Sequence, residues 1–108
     1  MGYVYLLLEV DKDGGERHKI GFSRHNPEKR KKQCQTGNSN IISVLNSYET
    51  PNYLKVEKWL HGKFAGQKTE TENEWFSLTN EQVGSFIDIC KDADKTIKFM
   101  LENNPFYK

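Results

Sequence analysis

The sequence lacks the features that mark membrane-spanning, secreted and disulfide-bonded proteins. Its longest apolar run covers residues 3–8, far short of the roughly 18 residues that a transmembrane helix needs. No basic and apolar leader is found, so we expect neither a membrane anchor nor a secretory signal. The two cysteines, Cys34 and Cys90, form no Cys-X-X-Cys pair, which indicates reduced thiols in a cytoplasmic protein.

Several enzyme motifs are also missing. The three histidines, His18, His25 and His61, do not have the spacing of a zinc protease. There is no Walker loop and no GxGxxG turn. A chain of 108 residues with 29% charged side chains is typical of one globular domain.

Charge is balanced over the chain but unevenly distributed along it. The formal net charge of +1 does not by itself indicate a nucleic-acid binder. Residues 24–32, however, contain one acid, Glu28, and five basic side chains: Arg24, Lys29, Arg30, Lys31 and Lys32. Acidic residues are grouped elsewhere, between positions 70 and 74. This separation permits a local phosphate-binding face.

Strand signals appear in four segments. Residues 2–10 and 17–22 are rich in β-branched and aromatic side chains and flank the turn-forming residues 11–15. Together they predict a β-hairpin. Further strands are predicted over residues 41–48 and 74–78.

Three helices have recognisable start signals. A capping residue followed by proline predicts helices over residues 27–35 and from 51 to about 65. A capping box starts the third helix, which extends to about residue 103. The signals are Asn26-Pro27, Thr50-Pro51, and Thr79 with Gln82.

The resulting order, ββαβαβα, predicts an α+β fold in which a small mixed sheet, started by an antiparallel hairpin, is flanked by helices. Residues 1–80 are expected to form the functional domain, with residues 81–108 as a C-terminal helix packed on it. Apolar residues recur along this helix at helical spacing, which favours docking on the domain's own sheet. Self-association into a homodimer is the alternative to a monomer. The stripe consists of Val83, Phe86, Cys90, Ala93, Ile97 and Met100.

Glu57 is out of place in the second helix. Tyr53, Val56, Leu60 and Phe64 define an inward face there, and Glu57 projects only about 40° from Tyr53 on a helical wheel. Carboxylates avoid such positions unless they are paired or bound to metal. The spacing leaves two interpretations open: a metal ligand, or a partly buried glutamate paired with a lysine or arginine. His61 lies one turn further on the same side.

The basic segment also has two interpretations. It is either a solvated helix face or a phosphate site at a helix N-terminus, where free N–H groups and cations attract an anion. Arg30 sits one turn into the helix, and its guanidinium can grip a phosphate through two parallel hydrogen bonds.

The hairpin supplies hydroxyl and amine groups. Tyr3 and Tyr5 point to one face of the first strand because side chains alternate. Lys19 lies near the register of Tyr5 if the turn is centred on Asp13-Gly14. Adjacent cations would favour a basic form of such side chains, whereas ordinary strand packing is the alternative.

These pieces, in this order, resemble the GIY-YIG endonuclease superfamily. Tyr3-Val4-Tyr5 stands where the first motif would, and Lys19-Ile20-Gly21 where the second would. Arg30 and Glu57 lie in the following helices, as the family's arginine and metal-binding glutamate do. The closing Glu74-Trp75-Phe76 is similar to a phage- and virus-rich branch often labelled only as a DNA-binding domain. The resemblance covers residues 2 to about 80.

The resemblance implies a metal-dependent endonuclease that cuts DNA. Glu57 would hold one Mg²⁺ or Mn²⁺, Arg30 would stabilise the charge developing on the phosphate, and Tyr5 and Lys19 would share the base and positioning roles. Phosphate contacts are expected from Arg24, Lys29, Lys31 and Lys32. Accessory positions are expected at Tyr3, His18, His25, His61 and Glu74.

The sequence also departs from the family pattern. Tyr3 replaces the glycine of the first motif and Lys19 the first tyrosine of the second. A histidine that many members carry after the arginine would fall near Cys34, and the family's final asparagine has no clear match. Two alternatives to a nuclease therefore stay open: a module of this fold that binds DNA or a protein without cutting, and an interaction protein with no nucleic-acid partner.

Overall fold

The computed structural model describes residues 1–37, 39–69, 75–104 and 106. It has four strands and four α-helices in these residues, with a short 3-10 turn at Ala65–Gln67. In chain order they are β1 (Gly2–Val10), β2 (Glu16–Ser23), α1 (Pro27–Gln35), β3 (Ile41–Thr50), α2 (Tyr53–Lys63), β4 (Trp75–Phe76), α3 (Asn80–Gly84) and α4 (Phe86–Asn103). No helix in this described part is long and apolar enough to cross a membrane.

The strands form one sheet in the order β3-β1-β2-β4. The α+β class and the element order are as predicted, but every pairing recorded among the described residues is antiparallel rather than mixed, because α1 returns the chain so that β3 runs opposite to β1. The hairpin turn is held by Asp11, whose carboxylate accepts hydrogen bonds from the N–H groups of Asp13 (2.9 Å) and Gly15 (2.8 Å). Gly14 provides the positive φ of 81° that the turn requires.

The sheet separates two apolar layers. Val4, Leu6 and Ile20 belong to the larger layer, which is completed by residues of α2, β4 and α4. Tyr5 and Leu7 face the opposite side, where they pack with Ile42 and with Cys34 of α1. Alternation along β1 therefore assigns α1 to one face of the sheet and α2 and α4 to the other.

The C-terminal segment docks on the domain's own core. The capping box is confirmed, since Thr79 and Gln82 exchange side-chain and backbone hydrogen bonds. The helix is broken at Ser85 into α3 and α4. Four residues of the predicted stripe are buried in the larger layer: Phe86, Cys90, Ala93 and Ile97. A homodimer would therefore have to use side chains other than these four.

The predicted start of α2 at Thr50-Pro51 is wrong. Thr50 is the last residue of β3, and the helix begins at Tyr53 with Asn52 as N-cap. The Thr50 hydroxyl accepts from the Asn52 backbone N–H (3.1 Å) and donates to Asp94 of α4 (2.9 Å). Thr50 therefore binds a residue of α4 instead of serving as the N-cap of α2, which is the role that the sequence predicted.

Asp94 connects three elements. It is 3% exposed, and its carboxylate accepts hydrogen bonds from the hydroxyls of Tyr48 (2.8 Å) and Thr50 (2.9 Å) and from the Asn52 amide (3.0 Å). The Lys98 ammonium lies 3.8 Å away. The network joins α4 to the end of β3 and the start of α2.

The network determines the protonation states of Asp94 and of the groups around it. Burial alone would raise the pKa of Asp94, but the hydrogen bonds and Lys98 together hold that pKa below its ordinary value. Burial, with Asp94 adding to it, raises the pKa of Tyr48 to about 12 and that of Cys90 to about 12. Near neutral pH the network therefore contains one carboxylate, surrounded by groups that stay protonated.

Candidate functional site

Tyr5 and Gly21 fit together across the hairpin. They are directly opposite in the β1–β2 pairing, and the Tyr5 ring is almost fully buried. A Cβ on Gly21 would collide with the Tyr5 hydroxyl oxygen and with the ring carbon that carries it. The glycine of the Lys19-Ile20-Gly21 motif is therefore the position that allows the phenol to lie where it does.

Replacing Gly21 by alanine is expected to lower the free energy of unfolding by about 1–3 kcal/mol, the usual cost of overpacking, and to displace the Tyr5 hydroxyl. Urea denaturation measures the first effect. Gly62→Ala is the matched control, because a Cβ there meets nothing within 4 Å and alanine favours a helix. Equal stability of the two variants would contradict this account of Gly21.

Lys19 lies on the same face as Tyr5. It pairs with Leu7, two residues along the hairpin from the Tyr5–Gly21 pair, so Tyr5 and Lys19 are diagonal neighbours rather than directly opposite. Lys19 is 8% exposed, and its ammonium lies 3.6 Å from the Cys34 sulfur. The amine is thus held between the sheet and α1.

Arg30 belongs to the same layer. Pro27, Arg30 and Cys34 follow one another at helical spacing on α1, and Pro27 is buried while Cys34 contacts Lys19. Arg30 is half-buried between them, and its Nη1 donates to the Gln33 side chain (2.7 Å). Tyr5 and Lys19 thus lie between α1 and the sheet, and Arg30 lies on the side of α1 that also carries Pro27 and Cys34.

Glu57 lies in the other layer, beside His61. Its side chain is 14% exposed, and one carboxylate oxygen is 3.6 Å from His61 Nε2. The same Nε2 is 2.8 Å from the Ile20 carbonyl oxygen. A carbonyl only accepts hydrogen bonds, so Nε2 must carry the proton. His61 is therefore anchored to β2 through Nε2, which is not offered to a metal, and the Glu57 carboxylate lies next to the ring.

The first residue of α2 packs against the C-terminal end of β2. The Tyr53 ring packs against Phe22, with 6.1 Å between ring centroids. Its hydroxyl accepts a hydrogen bond from Arg24 Nε (3.1 Å). Arg24 is otherwise exposed, so it joins the loop before α1 to the helix that carries Glu57.

These contacts locate Glu57 along β2. It is one turn after Tyr53, which contacts Phe22, and one turn before His61, which contacts Ile20. The residues one turn before and one turn after Glu57 therefore contact Phe22 and Ile20, which flank Gly21. Tyr5 lies against Gly21 from the opposite face of the sheet.

The outer edge of β2 at Gly21 has no strand partner in the described part of the chain. There, β4 pairs with β2 only at His18 and Lys19, before Gly21 is reached. Groups from both faces of a sheet can approach a common ligand at such an edge. The arrangement suits a phosphate that enters between α1 and α2.

The basic segment of α1 is only partly available to a phosphate. The Asn26–Pro27 helix start is confirmed, and the Asn26 side chain accepts the Glu28 N–H (3.0 Å). That N–H is therefore satisfied within the chain. Lys31 is half-buried, with its ammonium 3.9 Å from Glu28. Lys29 and Lys32 are exposed and carry most of the expected phosphate binding.

Tyr3 lies at the margin of the site. It pairs across the sheet with Glu49. The charge of Glu49 and its hydrogen bond to the phenol raise the pKa of Tyr3. The raised pKa favours the protonated phenol, which makes Tyr3 a poor base.

The other accessory positions are separated from Lys19. His18 is buried on the opposite face, where its Nδ1 lies 3.4 Å from the Leu78 backbone nitrogen. Burial lowers the pKa of His18, so its neutral form is favoured. His25 is exposed in the loop before α1. Glu74 lies outside the described residues.

The sequence did not predict one cluster of charged and aromatic side chains, formed by Arg17, Lys19 and Trp75. The Arg17 guanidinium carbon lies 4.1 Å from the centroid of the Trp75 ring, and Lys19 Nζ lies 5.7 Å from it. Arg17 also pairs with the buried Glu9. The signal was available in the strand alternation, because Arg17 and Lys19 must share a face.

Glu57 is the side chain that fits a divalent metal. Among the described residues no group of three or more His, Cys, Asp or Glu side chains is placed to hold one. Mg²⁺ does not need such a cage, because it usually keeps several waters and binds one or two carboxylates together with substrate phosphates. A single, partly shielded carboxylate at a phosphate-accessible edge meets that requirement.

Comparisons with known proteins agree with this description. A family model described as the T5orf172 domain matches residues 2–91, which include all four strands. That family is related to the GIY-YIG nucleases. Searches of curated proteins and of solved structures gave no significant match.

Proposed function

We propose that the chain, which belongs to the T5orf172 domain family, is a metal-dependent endonuclease that hydrolyses phosphodiester bonds of DNA. The observation that carries the proposal is the position of Glu57. Its side chain is 14% exposed and lies 3.6 Å from His61 Nε2, and the residues one turn to either side of it contact Ile20 and Phe22, which flank Gly21. Burying a carboxylate costs free energy, and a bound metal ion would offset that cost.

The proposal gives each predicted catalytic residue one role. A Mg²⁺ or Mn²⁺ held by Glu57 would neutralise charge on the phosphate and on the leaving 3′ oxygen. Arg30, partly shielded on α1, binds a non-bridging phosphate oxygen and stabilises its charge. Tyr5 and Lys19 would share the base and positioning roles towards the attacking water, and because they are only 1% and 8% exposed, these two roles are the least supported by the geometry.

Flanking phosphates are bound by the exposed cations. Arg24 is anchored on Tyr53 of α2, and Lys29 and Lys32 project from α1. All three lie on α1 or in the loop before it, and Arg24 also contacts α2. They would hold the DNA backbone along this side of the domain without reading its sequence.

The proposal is tested by incubating the protein with supercoiled, linear and branched DNA in Mg²⁺ or Mn²⁺, and then with chelator. We expect nicking or cutting that requires the metal and stops when the chelator is added. DNA binding without cleavage in either metal would exclude the nuclease. Failure to bind DNA at low salt, where phosphate contacts are strongest, would exclude any DNA-directed role.

A module that binds DNA without cutting it is the second candidate. Lys19 supports it, because the amine is 8% exposed and is in contact with Cys34. A base must reach the water that it activates, and this amine is more enclosed than that role requires. Binding without cleavage is the result that this candidate predicts.

A further inference from the structure

Trp59 stands out on the surface of α2. Tryptophan is highly buried on average in folded proteins, yet 42% of Trp59 is exposed. None of the aromatic or cation–π contacts recorded in the described part of the chain involves Trp59. A substantial part of the indole is therefore open to solvent.

The charged side chains that α2 exposes next to Trp59 are positive. Lys58 precedes it and Lys63 follows one turn later, and both are exposed. The one acid of α2, Glu57, is turned towards the sheet and lies against His61. The outer face of α2 is therefore complementary to an anion.

The surface beside the ring is also open. Gly62 lies one turn after Trp59 and is exposed, and a Cβ built on it meets nothing within 4 Å. A flat group can therefore approach the indole without meeting a neighbouring side chain at that position. We call Lys58, Trp59, Gly62 and Lys63 the Trp59 surface.

We propose that the Trp59 surface binds an unpaired segment of DNA, with a base stacked on the indole and the adjacent phosphates on Lys58 and Lys63. Aromatic stacking combined with cationic side chains is how proteins hold single strands without reading their sequence. The inference rests on the proposed function, because the same helix carries Glu57. It assigns a substrate class to that site: DNA in which bases are unpaired, as in single strands, flaps and branches.

The experiment measures the binding of a fluorescently labelled oligo(dT) strand and of a blunt duplex to the full chain, at low salt with chelator present to prevent cleavage. Trp59→Ala is expected to weaken oligo(dT) binding by about tenfold and to change duplex binding little. Trp59→Phe keeps a stacking ring and is expected to stay within about threefold of the original protein. Leu54→Ala is the matched control, because Leu54 is an exposed apolar residue of the same helix.

Intrinsic fluorescence provides a second readout. The chain has two tryptophans, and Trp75 is buried beneath Arg17. Oligo(dT) is therefore expected to quench the emission of the original protein, and Trp59→Phe is expected to lose that quenching while still binding. Circular dichroism checks that the variants are folded.

The outcomes separate this inference from the proposed nuclease activity. Metal-dependent cleavage by the original protein, together with full oligo(dT) binding by Trp59→Ala, would overturn the inference and leave the nuclease standing. Selective loss of oligo(dT) binding without cleavage would support the inference and reject the nuclease. Equal loss on oligo(dT) and duplex would also overturn it, because stacking requires an unpaired base.

Discussion

Glu57→Gln is expected to reduce metal-dependent cleavage by about a thousandfold or more while the protein remains folded and still binds DNA. Glutamine keeps the size of the side chain and retains one oxygen that can accept a hydrogen bond. It removes the negative charge, which is what a hard divalent cation needs from its ligand. Losses of about a hundredfold to a thousandfold follow removal of a single electrostatic contact to a transition state, and loss of the metal removes more.

Three measurements check this prediction. Cleavage of supercoiled DNA gives the rate, Mn²⁺ titration calorimetry gives metal binding, and urea denaturation gives stability. Glu81→Gln is the matched control, because Glu81 is an exposed glutamate at the start of α3. The control is expected to cut at the original rate.

The opposing result has a clear physical meaning. If Glu57 serves only to pair with neighbouring side chains, Glu57→Gln would lower the free energy of unfolding and leave cleavage and Mn²⁺ binding intact. That outcome would favour the interpretation of Glu57 as a paired, partly buried glutamate. The proposed function would then lose its principal support.

Features with a local cause were predictable from the sequence. The Asn26 cap, the Thr79–Gln82 capping box and the Asp11–Gly15 turn each involve residues within four positions of one another. Such motifs fold in the same way in many surroundings. The inward position of Glu57 also followed from helical spacing, and its side chain is 14% exposed.

Features with a distant cause were not predictable. Thr50 looked like a helix cap, but its hydroxyl binds Asp94, which lies 44 positions further along the chain. The break at Ser85 and the contact between Lys19 and Cys34 likewise depend on how helices pack on the sheet. Side-chain spacing within one element contains no information about these partners.

The division of the candidate site residues between two layers was also not predictable, because it too depends on packing between distant parts of the chain. The sequence assigned Tyr5, Lys19, Arg30 and Glu57 to one site but not to faces of the sheet. Their faces follow from the packing of α1 on one side and α2 on the other. The division is most evident at Gly21. The absence of a side chain there lets Tyr5 lie against β2, on the opposite face of the sheet from α2 and Glu57.

Asp94 has the largest expected effect on stability. Asp94→Ala is expected to lower the free energy of unfolding by about 3 kcal/mol or more, because truncation leaves the donors of Tyr48, Thr50 and Asn52 without their buried acceptor. Urea denaturation at neutral pH measures the loss. Asp92→Asn is the matched control, since Asp92 is exposed two residues earlier on the same helix. A loss no larger than in the control would show that solvent replaces the carboxylate easily.

The pH dependence of stability gives an independent test of the same network. The pKa of Asp94 is lower in the folded protein than its ordinary value, which is about 3.9 in an unfolded chain. A carboxyl group with a depressed folded pKa contributes its full stabilisation above the unfolded value, and that contribution disappears as the pH falls through the folded value. Stability attributable to Asp94 is therefore expected to be constant near neutral pH and to decline below about pH 4.

Asp94→Asn separates charge from shape in this test. Asparagine retains one acceptor oxygen but cannot titrate, so the variant is expected to be less stable than the original protein near neutral pH. The difference between the two should shrink as the pH falls below about 4, because the original carboxyl group then becomes neutral too. Urea denaturation midpoints at a series of pH values measure that difference. A constant difference across the series would mean that Asp94 stabilises the fold through its shape and hydrogen bonds, and that its charge contributes nothing.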